Sequence, residues 1–284
     1  MNLPHVVSVE NMRISDSHTI AEHCTSAELM YRAAQGIYNA VKFVGKVAIV
    51  CGKGNNGGDG YALACILCRN GITPTIVRAC EGFSKDGLYY YQTALSLGAN
   101  EETLENIGNF TGYDIVVDCL LGTGFSGKVT GSVLSAIEQI NTSNAYVISA
   151  DINSGINGDT GVAEFAVNSD ITVSIGYFKT GLFLNDAPYY IGSMRNADIG
   201  IHLVNEEYKL IDYSRLSLFE GYNSIVMTTE DFFAKYGYNP SSCNIMQCIA
   251  DISQNERKTV VVKTDHSAVI ADLKYIYFCA DYIY

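Results

Sequence analysis

Val47-Ala-Ile-Val-Cys-Gly52, Lys53-Gly-Asn-Asn-Gly-Gly-Asp-Gly60 and Tyr61-Ala-Leu-Ala-Cys-Ile-Leu-Cys-Arg-Asn70 follow one another without a spacer. The first piece is an apolar run rich in β-branched residues, and the last carries apolar residues at helical spacing, so the glycine-rich piece between them reads as a ligand loop joining a strand to a helix. Gly52, Gly54 and Gly57 satisfy the loose dinucleotide pattern G-x-G-x-x-G, but Arg78 stands near the end of the next strand, where such a site wants an acidic residue. Asn55, Asn56 and Asp59 put two carboxamides and a carboxylate where a pyrophosphate cradle is mostly backbone N–H. A carboxylate repels phosphate, so this loop is read as holding something besides phosphate.

Working outward, the pattern repeats. Ser26 to Val41 reads as a helix with Leu29, Met30, Ala33, Ala34, Ile37 and Val41 on one side, capped by Thr25 or Ser26. Further strands are expected at 73–78, 113–119, 145–151 and 170–176, with helices at 85–97 and 132–141. Buried strands alternating with helices of ten or more residues indicate a parallel sheet covered on both faces. In such a sheet the ligand lies beyond the carboxyl ends of the strands. The polar positions collect there: Asn55, Asn56 and Asp59 after the first strand, Asp118 closing the third, Asp151 and Ser154 at the fourth, and Lys179 after the fifth. A single aspartate at such a place is as readily a helix cap or turn former, but three of them at strand ends favour a site.

Composition sets the bounds. The 284 residues, 48% hydrophobic and 17% charged, suffice for one sizeable core plus an appendage. A net charge of −12 argues against a nucleic-acid or anionic-membrane partner. No apolar run approaches the roughly 20 residues of a membrane span, no signal peptide is recognised, and the nine cysteines are an odd number. Reduced thiols and a cytoplasmic location are the simplest expectation. Cys65 and Cys68 form a C-x-x-C inside the helix after the loop, without the second pair or histidines of a zinc site, and are read as structural.

Two ligand chemistries follow from the residues. Gly122-Thr-Gly-Phe-Ser-Gly-Lys128 suits an anion, because small residues let backbone N–H groups approach phosphate oxygens and Lys128 adds a positive charge. The oxygens of Asn56, Asp118 and Ser154 suit a hard monovalent or divalent cation rather than a transition metal.

Gly52-Lys-Gly-Asn-Asn-Gly-Gly-Asp-Gly60, Asp118-Cys-Leu-Leu-Gly-Thr-Gly124, Asp151-Ile-Asn-Ser-Gly155 with Gly158-Asp-Thr-Gly161, and the strand ending at Lys179 together resemble the NAD(P)H-hydrate epimerase family, the YjeF N-terminal domain. The resemblance runs from about Met12 to Ile201. It implies a Rossmann-like three-layer α/β/α sandwich with a mostly parallel sheet, usually a homodimer, that interconverts the R and S forms of hydrated NADH and NADPH. It also implies K⁺ bound through Asn56, Asp118 and Ser154, and the hydrated nucleotide bound through Asn55, Asn56, Gly57, Gly58, Asp59, Gly122, Thr123, Gly124, Phe125, Ser126, Gly127, Lys128 and Asp151. In the chemistry so implied, protonating the hydroxyl beside the ring nitrogen releases water and leaves an iminium that water can attack on either face. Asp118 is the expected acid and base.

Two departures from the family pattern stand out. Asn153 replaces the proline of an Asp-Ile-Pro-Ser-Gly turn, which is expected to loosen the turn that orients Ser154, and Ala79-Cys-Glu-Gly82 replaces a Lys-Arg-Pro run, leaving Lys85 as the candidate to restore the charge. A nucleotide-binding scaffold that has lost turnover is therefore the alternative reading. The motifs divide the chain into residues 1–205 and a small C-terminal appendage, 206–284. Thr228 to Tyr236 and Lys258 to Ala271 faintly resemble part of a dehydratase domain whose nucleotide loop and catalytic run are absent.

Overall fold

In a computed structural model of the chain, residues 3–237 and 244–284 are described. The elements up to the middle of the chain are β1 (His5–Val7), α1 (Val9–Glu22), α2 (Ser26–Ala40), β2 (Val47–Cys51), α3 (Asn55–Arg69), β3 (Thr75–Arg78), α4 (Lys85–Ser96), β4 (Asn100–Thr103), α5 (Leu104–Ile107), β5 (Ile115–Cys119), α6 (Gly131–Asn141) and β6 (Tyr146–Ala150). There follow β7 (Ile171–Ile175), β8 (Phe178–Lys179), β9 (Met194–Ala197), β10 (Tyr208–Leu210), β11 (Ser224–Thr228), α7 (Thr229–Tyr236), α8 (Ile245–Glu256), β12 (Thr259–Lys263), β13 (Ser267–Ala271) and β14 (Ile276–Ala280).

Seven strands form a wholly parallel sheet in the order β4-β3-β2-β5-β6-β7-β9. The chain starts in the middle at β2, winds outward to β4, then returns to β5 and winds the other way. That reversal between β2 and β5 is the doubly wound topology, and it opens a crevice at the carboxyl ends of those two strands. Strand residues alternate between two cores: Ile49, Val117, Ile148 and Val173 pack under α2, α3 and α4, while Ala48, Val50, Val116 and Val147 pack under α6. Both faces are thus buried, and the strands read as continuous apolar runs.

The sequence does not show β4. Its Asn-Glu-Glu-Thr is exposed throughout and pairs only with β3, so no apolar period marks it.

The segment 206–284 does not make a sheet by itself. A second seven-stranded sheet runs β11-β12-β13-β14-β10-β1-β8, so the late strands are joined by β1 and β8 from the first two thirds of the chain. β1 lies between β8, which it pairs in parallel (Val7 with Lys179), and β10, which it pairs antiparallel (His5 with Lys209). One apolar cluster, including Val6, Phe178, Phe183 and Met194 on the early side and Val260, Val262, Phe278 and Tyr282 on the late side, fills the space behind this sheet. The clustered apolar residues of the late segment are accounted for by this burial.

α1 is held differently. Its buried residues include Asn11, Ser15 and Thr19, which with the N-cap Ser8 form a polar stripe at helical spacing. The stretch 202–207 lies along that stripe. Ser8 N–H and Oγ donate to the two Glu207 carboxylate oxygens (2.6 and 2.9 Å), Asn11 Nδ2 donates to the Asn205 carbonyl (2.7 Å), and the Val204 and His202 N–H groups donate to Ser15 Oγ (3.1 Å) and Thr19 Oγ1 (2.9 Å). A further carboxylate, Asp159, accepts from Val9 N–H at 2.7 Å, satisfying another first-turn donor.

Candidate active site

The glycine-rich run is a helix start rather than a loop. Gly54 is the N-cap of α3, so Asn55 to Gly60 form its first turn and a half. Packing explains the glycines: a Cβ added at Gly57 would lie 2.1 Å from the Gly52 carbonyl oxygen, whereas one at Gly54 would meet nothing within 4 Å. Gly57→Ala is therefore expected to destabilise the fold by about 1–3 kcal/mol, the usual range for overpacking against backbone. Gly54→Ala should cost less, no more than about 1 kcal/mol, because the added methyl meets nothing although alanine is the poorer N-cap. Urea denaturation of the two variants beside the parent chain checks this.

Beyond the carboxyl ends of β2, β5 and β6 lies a cleft of about 1060 Å³. Ligand pockets commonly span about 300–1,000 Å³, so the cleft has room for a dinucleotide. Asn55, Asn56 and Asp59 reach it from α3, Gly122 to Ser126 from the segment after β5, and Asp151 and Lys179 from the segment after β6 and from β8. α1 supplies another wall with Met12, Arg13, Asp16 and Ile20. The first turns of α3 and α6 both border it, and neither has a side-chain cap, leaving backbone N–H groups for an anion.

Asp151 has a positive φ of 69°, uncommon for a residue other than glycine. It forms an ion pair with Lys179, whose side chain is 1% exposed against 16% for Asp151. Lys179 Nζ also donates to the Ile175 carbonyl (2.6 Å). The charged pair is thus fixed from the protein side, with the carboxylate toward the cleft.

Asp118 is placed otherwise. It is fully buried and does not border the cleft. Its Oδ1 accepts from Ser154 Oγ (2.6 Å) and Leu120 N–H (3.2 Å), and its Oδ2 from Ser149 Oγ (2.9 Å) and Ser154 N–H (2.9 Å). Burial pushes this carboxyl up, against the pull of those donors. With four donors and a place behind the cleft lining, this carboxylate is held as an anchor, where the sequence pointed to it as the acid and base.

The three residues expected at a cation do converge. Ser154 Oγ accepts the Leu121 N–H (2.8 Å) while Asn56 Nδ2 donates to the Leu121 carbonyl (2.8 Å), and Ser154 bonds Asp118 as described. Asn56 Oδ1 is buried without a hydrogen-bond partner. An orphaned carboxamide oxygen beside a buried carboxylate and a hydroxyl is the donor set of a hard cation, so the residues fit K⁺.

Several expectations change. Asn153, expected to loosen the turn, ties it down: its Nδ2 donates to the Val167 and Tyr190 carbonyls (2.9 Å each) and to Ser169 Oγ (3.0 Å), and its Oδ1 accepts from Thr172 Oγ1 (2.5 Å). Gly127 and Lys128 do not border the cleft; Lys128 pairs with Glu164 at 2.8 Å, both largely exposed. Gly57 and Gly58 face packed backbone and the Met30 side chain rather than the cleft. Lys85 does not border the cleft either, whereas Lys53 and Arg13 do.

Cys24, Cys51, Cys65, Cys68, Cys80, Cys119 and Cys279 are free thiols, and Cys243 lies outside the described residues. Cys65 Sγ lies 3.3 Å from the Tyr90 carbonyl, and burial pushes its thiol up to about 11, as suits a packed rather than reactive side chain. No helix among the described residues is long and apolar enough to cross a membrane.

Asp16, like Arg13 and Lys53, lines the cleft without being marked as a site residue by the sequence. It projects into the cleft from α1, on the face of Val9, Met12, Arg13 and Ile20. The only sequence signal is an acidic residue at helical spacing among apolar ones. Asp59 is held well above the usual carboxylate range by burial, reinforced by Asp151 and Asp16 and opposed by Lys179.

The chain is similar to several known proteins. The family described as YjeF-related protein N-terminus matches residues 26–181. An NAD(P)H-hydrate epimerase of Limosilactobacillus fermentum is 32% identical over 206 residues, covering 68% of this chain and 95% of its own length. One of Oenococcus oeni is 35% identical over 185 residues, covering 62% and 87%. A bifunctional NAD(P)H-hydrate repair enzyme of Thermofilum pendens is 32% identical over 227 residues, 75% of this chain, and the chain spans only 42% of that longer relative. In three dimensions the crystal structure of the yeast protein ynu0 superposes with a TM-score of 0.56 at 20% identity, over 67% of this chain and 86% of the yeast one, which shows a shared fold.

Proposed function

Because the chain belongs to the YjeF-related protein N-terminus family, we propose that it interconverts the R and S forms of hydrated NADH and NADPH. The observation that carries this reading is the cleft at the strand reversal, with Asp151 in a left-handed conformation and ion-paired to the buried Lys179. Non-glycine residues held in such conformations concentrate at functional sites.

In this reading the uncapped first turns of α3 and α6 hold the pyrophosphate, in place of the exposed Lys128. Asp151 faces the nicotinamide end and exchanges the proton that lets the ring hydroxyl leave as water. Lys179 fixes that carboxylate in position from behind, and the four donors on Asp118 fix the 118–121 and 154 segments beneath it. Asn56, Asp118 and Ser154 would hold K⁺, which when bound supplies a fixed positive charge beside the anionic nucleotide.

Incubating the protein with the separated R and S hydrates at neutral pH and following their exchange by NMR tests the activity. No exchange above the spontaneous rate would leave a nucleotide-binding scaffold as the better reading. A cation site of neutral and carboxylate oxygens further predicts that activity and thermal stability rise with K⁺ and need no zinc. Full activity and an unchanged melting temperature after exhaustive exchange into a bulky organic-cation buffer would remove the cation from this account.

A further inference from the structure

Epimerisation moves a hydroxyl from one face of a ring to the other, so a proton must be given on one face and taken on the opposite one. The cleft offers carboxyl groups on two different walls. Asp151 and Asp59 come from the sheet side, Asp151 following β6 and Asp59 at the start of the second turn of α3, where it acts electrostatically on the Cys51 and Cys119 thiols of β2 and β5. Asp16 comes from α1, which is outside both sheets and is fastened by its polar stripe to the stretch 202–207. Among the described residues the Asp16 carboxyl makes no hydrogen bond or ion pair, so it is free to bond a ligand.

Resting on the proposed epimerase reading, we infer that Asp16 is a second catalytic acid and base, serving the ring face toward α1 while Asp151 serves the face toward the sheet. In one direction the Asp16 carboxyl donates its proton to the ring hydroxyl. The carbon–oxygen bond breaks, its electron pair leaves with the water, and the ring-nitrogen lone pair forms the iminium double bond. A water on the sheet side then forms the new carbon–oxygen bond and gives its proton to the Asp151 carboxylate, as the lone pair returns to nitrogen. One hydroxyl is inverted, one proton has crossed from wall to wall, and nothing is oxidised or reduced. The reverse passage resets both groups.

The environment of Asp16 suits a group that both gives and takes a proton near neutrality. Burial pushes its carboxyl up to about 6, with Lys179 of β8 pulling it down and Asp151 pushing it up. The other charged groups facing the same space are Arg13 of its own helix, Lys53 just before α3, Asp59 of α3, Glu81 after β3 and Asp86 of α4. As pH rises through about 6 the donating form is depleted, so the step in which Asp16 gives its proton slows above that pH.

Oxygen-18 water distinguishes two walls from one. The native chain should invert each hydrate and exchange its hydroxyl oxygen. Asp16→Asn should lower inversion by about 10²-fold, the scale of general acid–base loss. It should still exchange the oxygen of one hydrate, the one whose hydroxyl faces Asp151, without inverting it, and the slowing above pH 6 should vanish from that remaining exchange. Asp16→Glu should recover part of the inversion, and Asp16→Ser gives the same test should the Asn variant fail to fold. Inversion and exchange falling together for both hydrates, or neither changing, would overturn the assignment of Asp16 alone. A native chain that neither inverts nor exchanges in this assay would overturn the epimerase reading itself.

Discussion

Asp151→Asn is expected to lower the epimerisation rate by about 10²- to 10⁴-fold while leaving affinity for unhydrated NADH within a few-fold, whereas Asp118→Asn should lose rate, affinity and stability together. The difference follows from where each carboxylate points. At Asp151 the replacement keeps an amide oxygen that can still accept from Lys179, and the cleft side is open to water. At Asp118 two oxygens meet four donors, so an amide must turn its –NH₂ toward two of them in a fully buried site. Each buried donor left unsatisfied in this way costs about 1–3 kcal/mol. Calorimetric binding, single-turnover rates and thermal denaturation on both variants separate the roles. If Asp118→Asn were slow but bound NADH normally with an unchanged melting temperature, proton transfer would move back to Asp118.

The second large effect is expected from truncation after Asn205. The shortened chain should be poorly soluble or associate, and should lose far more stability than site chemistry per folded molecule. Removing β10 to β14 leaves β1 without its antiparallel neighbour and uncovers Phe178, Leu182, Phe183 and Met194, now packed against the late segment. Each such side chain contributes about 1.5–3 kcal/mol through burial. Four of them approach the roughly 5–15 kcal/mol that holds a whole domain together. Light scattering and urea denaturation of residues 1–205 beside the full chain decide it. A monodisperse product of equal stability would show that the second sheet is not needed by the first.

How legible these features were in the sequence depends on how each is stabilised. Strands β2, β5, β6 and β7 are buried on both faces, so their apolar runs announce themselves, and the polar residues at their ends mark the cleft. The start of α3 was misplaced because glycine and asparagine read as loop formers, whereas here the glycines are demanded by close backbone packing. β1 and β8 have three and two residues, too short for any period, and their pairing with late strands is a long-range fact that no local window contains. The same holds for Asn153, whose loss of proline rigidity is offset by four hydrogen bonds to residues 14 to 37 positions away. Asp16 escaped because a lone acidic residue on a helix ordinarily faces solvent.

The position of β1 between β8 and β10 has a consequence for how the chain is made. Ser8 and its Glu207 partner are 199 positions apart. At a synthesis rate of about 5–20 residues per second, roughly 10–40 s separate their emergence from the ribosome. The parallel sheet from β2 to β7 can assemble during that interval, but the polar stripe of α1 lacks its partners until residues 202–207 arrive. The nascent protein therefore waits with its binding crevice open on one side and the Phe178–Leu184 stretch uncovered, a window in which chaperone capture or mispairing competes with folding. Ligand capture becomes possible only late in translation, after the strand that seals the first residues in place has been made.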